Sequence, residues 1–304
     1  MIFAPFAYKE QVDVVAVTPG VSQDQDVLNW STATGVNNTS VLTALTTFVQ
    51  TLKTGSINGN MWDKMILIYP FVTDSTDSAT IKTHFKYNLK NTGSLFTASY
   101  FNNTSSGSQG GLRMNGSDAF VIPLSMSQFP SNYAFGMYTT NSAALGTDQD
   151  IGAENAGSPF DGNGLFVGRE VTACGGTFEA RWIPSRGCFP FRQDCGGTGT
   201  ATVKGLAMVA ASGSDGFAYR GNTGLVGGPT TGYSAGNRGT QFKPAIGALL
   251  KSNTTVANPS RKVYQFGFWA EYLASADYNI LTGSVNQLQL DIDNIFSTTR
   301  NNRT

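Results

Sequence analysis

The stretch WDKMILIYPFVTDS, residues 62–75, decides how the chain is read. It opens with the mixture of a short amphipathic helix, becomes an apolar run without an intervening glycine, and meets Pro70 before a polar loop. Trp62, Met65, Ile66 and Tyr69 recur at helical spacing until Pro70, which has no amide hydrogen and stops the helix. Phe71 and Val72 are then expected to enter a sheet, with Trp62 and Met65 filling the seam beneath a helical lid. Just upstream, NNTSVLTALTTFVQTLK places Val41, Leu45, Phe48 and Leu52 on one helix face behind Thr39 or Ser40 as N-cap. Gly55 and the Asn58, Gly59, Asn60 cluster end that helix. The pair of helices is expected to cover an edge or one end of the sheet that follows.

From His84 onward the pattern is β. HFKYNLK, SLFTASYF, AFVIPLS, NYAFGMYTT, GLFVGRE, TFEARWI, TATVKGLAMVAA, GFAYRG and RKVYQFGFWAEYL are dense in β-formers and separated by glycine and asparagine turns. About nine strands with no helix of crossover length between them indicate a mostly antiparallel sandwich or barrel. After Leu273, the residues Leu281, Val285, Leu288, Ile292 and Ile295 form one stripe of a closing amphipathic helix, weakened by Gly283. The chain thus divides into an arm over 1–27, with VDVVAV as a strand and TPGVSQDQD as turn and linker, a helical lid over 28–75, and a sandwich with its closing helix over 76–304.

Composition narrows the function classes. At 304 residues and 40% hydrophobic the chain can bury a sizeable core. Charged residues are only 13%, and 35 glycines accompany many Ser, Thr and Asn, a balance that suits β-rich, outward-facing proteins. Twenty basic and twenty acidic residues leave no net charge, so nucleic acid is not an expected partner. The N-terminus has no basic n-region, and Pro5, Lys9 and Glu10 interrupt it, so no secretory signal is read. Apolar runs such as 65–72 fall short of the ~20 residues that span a bilayer, and membrane insertion is not expected. Cys174, Cys188 and Cys195 fit no zinc spacing; they are read as free thiols, with a Cys188–Cys195 bridge as the alternative.

The segments TTFVQTLK, MWDKMILIYPFV and HFKYNLK, in that order and spacing, resemble phage and prophage virion proteins that carry a concanavalin A-like (LamG-like) jelly-roll domain. The resemblance runs from about Asp24 to Lys90 and is faint in the final helix. It implies a jelly-roll sandwich in a viral particle. The chain departs from the family pattern in its longer TDSTDSATIKT loop, in the Asn-Thr-Gly after YNLK, and in the cysteine-bearing insert from Thr172 to Gly199.

Catalytic patterns are sparse. The E-x-D-x-E arrangement that puts two carboxylates on one strand face of a sandwich glucanase does not occur. Asp291 and Asp293 fall off the apolar stripe of the closing helix and read as a solvated face. Asp148, Asp150 and Glu154 alternate in a glycine-containing stretch and are a weak calcium candidate, although Gly152 stands where a ligand belongs; a plain surface loop is the other reading. His84 is the only histidine and is placed at the start of the first sandwich strand, packed or hydrogen-bonded to backbone. Recognition at loop tips remains: Tyr233, Asn237 and Arg238 in a glycine-rich loop, and Trp182 between Arg181 and Arg186, could stack on a sugar and bond its hydroxyls. Trp182 alternates with Phe178 and Ala180 and also reads as core.

The resulting expectation is a non-enzymatic virion structural protein without a required cofactor. Its arm over 1–27 would contact other virion proteins, and its loops would bind a host surface glycan or receptor at a tail or fibre, within a homo-oligomer. Capsid decoration without a defined ligand is the first alternative, and a polysaccharide-degrading enzyme the second.

Overall fold

The computed structural model describes residues 22–55, 60–102, 106–139, 151–154, 164–169, 178–183, 205–212, 215–220, 224–230, 243–257 and 263–296. The strand expected at VDVVAV and most of the 1–27 arm lie outside them. Helices α1 (Gln25–Thr34), α2 (Thr39–Thr54) and the short α3 (Met61–Lys64) come first. Each begins on a side-chain cap that satisfies first-turn amides: Asp24 accepts from Asp26, Asn38 from Ser40 and Val41, and Asn60 from Trp62. The cap of α2 is therefore Asn38 rather than Thr39 or Ser40, because its carbonyl oxygen reaches two amides at once. Helix α1 overlaps residues read as linker. It ends at Gly35, whose φ of 83° suits a residue without Cβ.

The strands are β1 (Met65–Tyr69), then, after helix α4 (Ser78–Phe85), β2 (Ser99–Phe101), β3 (Ser106–Ser108), β4 (Gly111–Arg113), β5 (Ala119–Val121) and β6 (Tyr133–Thr139). β7 (Ile151–Glu154), β8 (Gly164–Arg169), β9 (Phe178–Ile183), β10 (Gly205–Ser212), β11 (Asp215–Arg220) and β12 (Gly224–Thr230) follow. β13 (Ala245–Ile246), β14 (Leu249–Lys251), β15 (Thr255–Ala257), β16 (Val263–Glu271) and helix α5 (Ser275–Ile295) complete the chain. One sheet runs β12-β11-β10-β6-β16-β4-β3, with β1 also paired to β16. The other runs β15-β14-β7-β13-β5-β2, and β8 pairs with β9. Every pairing is antiparallel except β7 with β14.

Residues 62–75 fold differently from their spacing. The helix stops at Lys64, and Met65–Tyr69 is a strand, with Leu67 opposite Trp269 and Tyr69 opposite Gly267. A short apolar run carries no period that separates helix from strand, and pairing with β16 decides it. Pro70 thus ends a strand, and Phe71 and Val72 lie beyond it. HFKYNLK is not a strand either: His84 and Phe85 finish α4, which is capped by Asp77 accepting the Thr80 amide. The YNLK residues instead close the free edge of β1. Asn88 Oδ1 accepts the Ile68 amide at 2.7 Å, and the Leu89 amide donates to Ile68 O at 2.8 Å. Lys90 Nζ donates to Trp62 O at 2.7 Å and lies 4.8 Å from the centre of the Trp62 ring.

The larger sheet is buried on both faces. Along β6, Tyr133, Phe135 and Met137 point into a core shared with Phe120, Ile151 and Ile246 of the second sheet. Ala134 and Tyr138 point the other way, into a core shared with Val41, Leu45, Phe48 and Leu52 of α2 and Leu281, Val285, Leu288 and Ile292 of α5. The helices therefore form a full layer across one face of the sheet and do not cap its edge or end. A bulge in β16 between Tyr264 and Phe266 makes this possible: Tyr264 enters the sheet-to-sheet core, whereas Phe266, Phe268 and Ala270 face the helices. The closing helix is where the spacing puts it, and Asp277 fixes its start by accepting the Ala274 amide and pairing with Lys64 at 3.0 Å.

Two glycines measure how tightly these layers fit. A Cβ on Gly136 would come within 2.1 Å of Ala207 O and 2.9 Å of Phe268 Cε1, whereas one on Gly283 of α5 would meet nothing within 4 Å. Gly136→Ala should lower unfolding free energy by about 1–3 kcal/mol through overpacking. Gly283→Ala should raise it by about 0.5–1 kcal/mol through helix propensity. Urea unfolding of both variants checks this; equal effects of one sign would contradict the packing described.

Candidate functional site

Most residues singled out from the sequence lie where the structure gives no account of them. Tyr233, Asn237, Arg238, Asp148, Asp150, Cys174, Cys188 and Cys195 are outside the described residues. The first three fall in the connection from β12, at the rim of the larger sheet, to β13, inside the second. Trp182 lies on β9 opposite Leu165 of β8. Glu154 ends β7. Gly152 sits in a sheet interior, paired with Ala245 and with Leu249. Among the described residues no three His, Cys, Asp or Glu side chains gather to hold a metal ion. No described helix is long and apolar enough to cross a membrane.

A polar group around His84 joins three parts of the fold, with partners that the sequence analysis does not assign. Thr73 Oγ1 and His84 Nδ1 lie 2.8 Å apart, with Thr73 fully buried and His84 only 5% exposed. The Ser75 amide donates to the same Thr73 oxygen at 3.1 Å. Asp74 Oδ2 accepts the amides of Asn37 and Asn38 at 2.8 and 3.0 Å, and Gln109 Nε2 donates to Asp74 O at 3.3 Å. Residues 73–75 therefore bind the α1–α2 junction, α4 and the β3–β4 turn together. Phe71, two residues earlier, holds a φ of 46° while its ring packs edge-on against Phe85 and Phe120. A left-handed conformation in a bulky residue costs on the order of 1–3 kcal/mol, which the surrounding aromatic contacts offset.

Hydroxyl, imidazole and carboxylate in this proximity resemble a nucleophilic triad in composition only. Asp74 points its carboxylate at backbone amides of another element, so it does not orient the imidazole, and the buried Thr73 hydroxyl is closed to a substrate. Burial holds the imidazole pKa below its ordinary 6.5, against the smaller opposing pull of the Asp74 carboxylate. His84 is thus bonded to a side-chain hydroxyl from within a helix, not to backbone at a strand start. The signal that could have found the group is the run TDSTD, whose short polar side chains bond amides two or three residues on: Thr73 to Ser75, Ser75 to Asp77, Asp77 to Thr80.

Other acids are equally committed. Asp24 and Asp26 hold Lys53 at 2.8 and 2.7 Å, and Lys53 and Lys90 both lie near the Trp62 ring, at 5.4 and 4.8 Å from its centre. Burial lowers the Lys90 pKa, opposed by Asp63 and Asp26. Trp62 itself is 3% exposed and offers no face to a ligand.

No family model matches the chain, and no curated protein matches it. Solved structures do. A Trypanosoma rangeli sialidase in complex with 2,3-difluorosialic acid, a covalent intermediate, superposes with a TM-score of 0.50 at 12% identity, over 82% of this chain and 38% of its own. Domain 4 of AbnA, an extracellular arabinanase from Geobacillus stearothermophilus in complex with arabinotriose, gives a TM-score of 0.42 at 11% identity, over 63% of this chain and 83% of that domain. At a TM-score of 0.50 the likeness to the sialidase concerns the fold, a mostly antiparallel β arrangement, and this chain spans well under half of the sialidase's length. It also overturns the expectation of a protein without enzymatic activity. Absence of the paired-carboxylate motif was the ground for that expectation, and sialidases are among the glycosidases that work with a tyrosine nucleophile instead. A fold shared with a sialidase no longer counts against catalysis.

The hydrogen bonds of Asp74 make a direct test of the hub. Asp74→Ala leaves two amides at the α1–α2 junction without their acceptor and should cost about 2 kcal/mol of stability at neutral pH. Urea unfolding measures it, and a change below a few tenths of a kcal/mol would mean that the junction is held by other contacts.

Proposed function

We propose that the protein recognises carbohydrate through a concanavalin A-like (LamG-like) jelly-roll sandwich carried on a phage particle, at a tail or fibre. Its arm over 1–27 docks on other virion proteins, it assembles as a homo-oligomer, and the loop with Tyr233, Asn237 and Arg238 meets the sugar. The observation that supports the carbohydrate reading is the likeness in fold, over 82% of the chain, to a sialidase in complex with 2,3-difluorosialic acid. The sequence resemblance from Asp24 to Lys90 supports the virion setting. Chemistry supports the loop: a tyrosine ring stacks on the apolar face of a pyranose, while amide and guanidinium groups bond its hydroxyls.

A glycan array probed with the full chain should show saturable binding, weakened at least about tenfold in Tyr233→Ala, which corresponds to about 1.4 kcal/mol. Reducing-end release from the bound glycan, assayed in parallel, shows whether recognition is accompanied by turnover. A flat array together with tight docking to purified capsids would replace this reading with capsid decoration.

A further inference from the structure

The Thr73–His84 pair has a hydrogen-bonding logic that depends on the charge of the ring. Thr73 Oγ1 already accepts the Ser75 amide. Its own proton is satisfied when it donates to Nδ1, 2.8 Å away, in the neutral imidazole that carries its proton on Nε2. A proton on Nδ1 reverses this. The ring nitrogen becomes a donor to the second lone pair of the Thr73 oxygen, and the buried hydroxyl proton loses its acceptor.

We propose that the 71–75 turn is an acid-sensitive latch between the helix layer and the sheets: protonation of His84 reverses its bond to Thr73 and strands the buried hydroxyl proton, draws the Asp74 carboxylate to the imidazolium, and frees the amides of Asn37 and Asn38 at the head of α2. Three observations converge on it. The bond is buried, so water cannot substitute for the lost partner. Asp74 is the adjacent residue, its charge acts on the ring, and its carboxylate is what pins the junction. Phe71 stores backbone strain at the base of the same turn, which favours its release once the anchor is gone.

The surrounding charges leave Asp74 as the partner. Helix α4 and its C-cap contribute Lys82 and Lys86, which repel an imidazolium, and its N-cap Asp77 is committed to the Thr80 amide; the β3–β4 hairpin carries Arg113, which is exposed; residues 35–38 carry no charge. The sign follows from burial. Because the folded imidazole binds its proton less readily than the unfolded one, the stability of the latch is complete above the ordinary value of 6.5 and is lost as pH falls below it, through the depressed folded value.

His84 is the only histidine in the chain, so its ring resonances report protonation without ambiguity. Native-state amide exchange, corrected for intrinsic rates, should show Asn37, Asn38 and Ser75 losing protection at least about tenfold between about pH 7.5 and about pH 5, in step with the titration of the ring. His84→Asn places a carbonyl oxygen where Nδ1 accepts and cannot be protonated there, so its protection should be independent of pH. Should that variant not fold, ring titration and amide protection on the natural chain still decide. Protection of Asn37 and Asn38 that is unchanged while the ring is protonated overturns the latch, as does an unaltered acid response in His84→Asn.

Discussion

Burial of the larger sheet on both faces is the constraint from which the rest of the structure follows. Strands with a core on either side do not alternate buried and exposed residues: β6 is buried from Tyr133 to Thr139 and β16 from Val263 to Ala270. Space on each side is set by glycine. Gly136 admits Phe268 on the helix side, and Gly267 admits Ile246 of the second sheet on the other. The bulge at Gln265 lets a single strand serve both cores, and Gln265 uses its side chain to bond Gly110 O at 2.7 Å. Helices α1, α2 and α5 are therefore a third layer of the fold and not an accessory lid.

The segment from Trp62 to Lys90 closes the flank of that sheet. β1 leaves one side of its backbone open, and Asn88 and Leu89 fill it with the bonds that another strand would make. Lys90 returns to Trp62, and His84 returns to Thr73, so the separate pieces of the motif are partners in space. This accounts physically for an order and spacing that look arbitrary along the chain. It also brings backbone strain at Phe71 and the committed carboxylate of Asp74 beside the buried ring of His84 on α4.

The sheets have a fold similar to part of a sialidase, while the residues proposed to meet a sugar belong to the connection between β12 and β13. A rigid two-sheet core with its variable chemistry in connections is the usual division of labour in sandwiches.

Composition and turn spacing were enough to read a mostly antiparallel β protein with two helices, because the stripe of α5 and the face of α2 repeat at 3.6 residues whatever they pack against. Residues Met65–Tyr69 and His84–Phe85 were not legible in the same way. An apolar run of five satisfies helix and strand alike, and only pairing with β16 makes it a strand; a histidine beside two aromatics fits a strand pattern until an Asp77 cap and contact with β3 make it helical. The candidate sugar loop was named from residue chemistry alone. The Thr73, Asp74 and His84 hub was invisible to that approach because its members answer to partners as far away as Asn37 and Gln109. Local periodicity is a property of the chain and survives without tertiary context. Pairing, edge closure and buried hydrogen bonds join residues distant in sequence, and only the folded structure decides them.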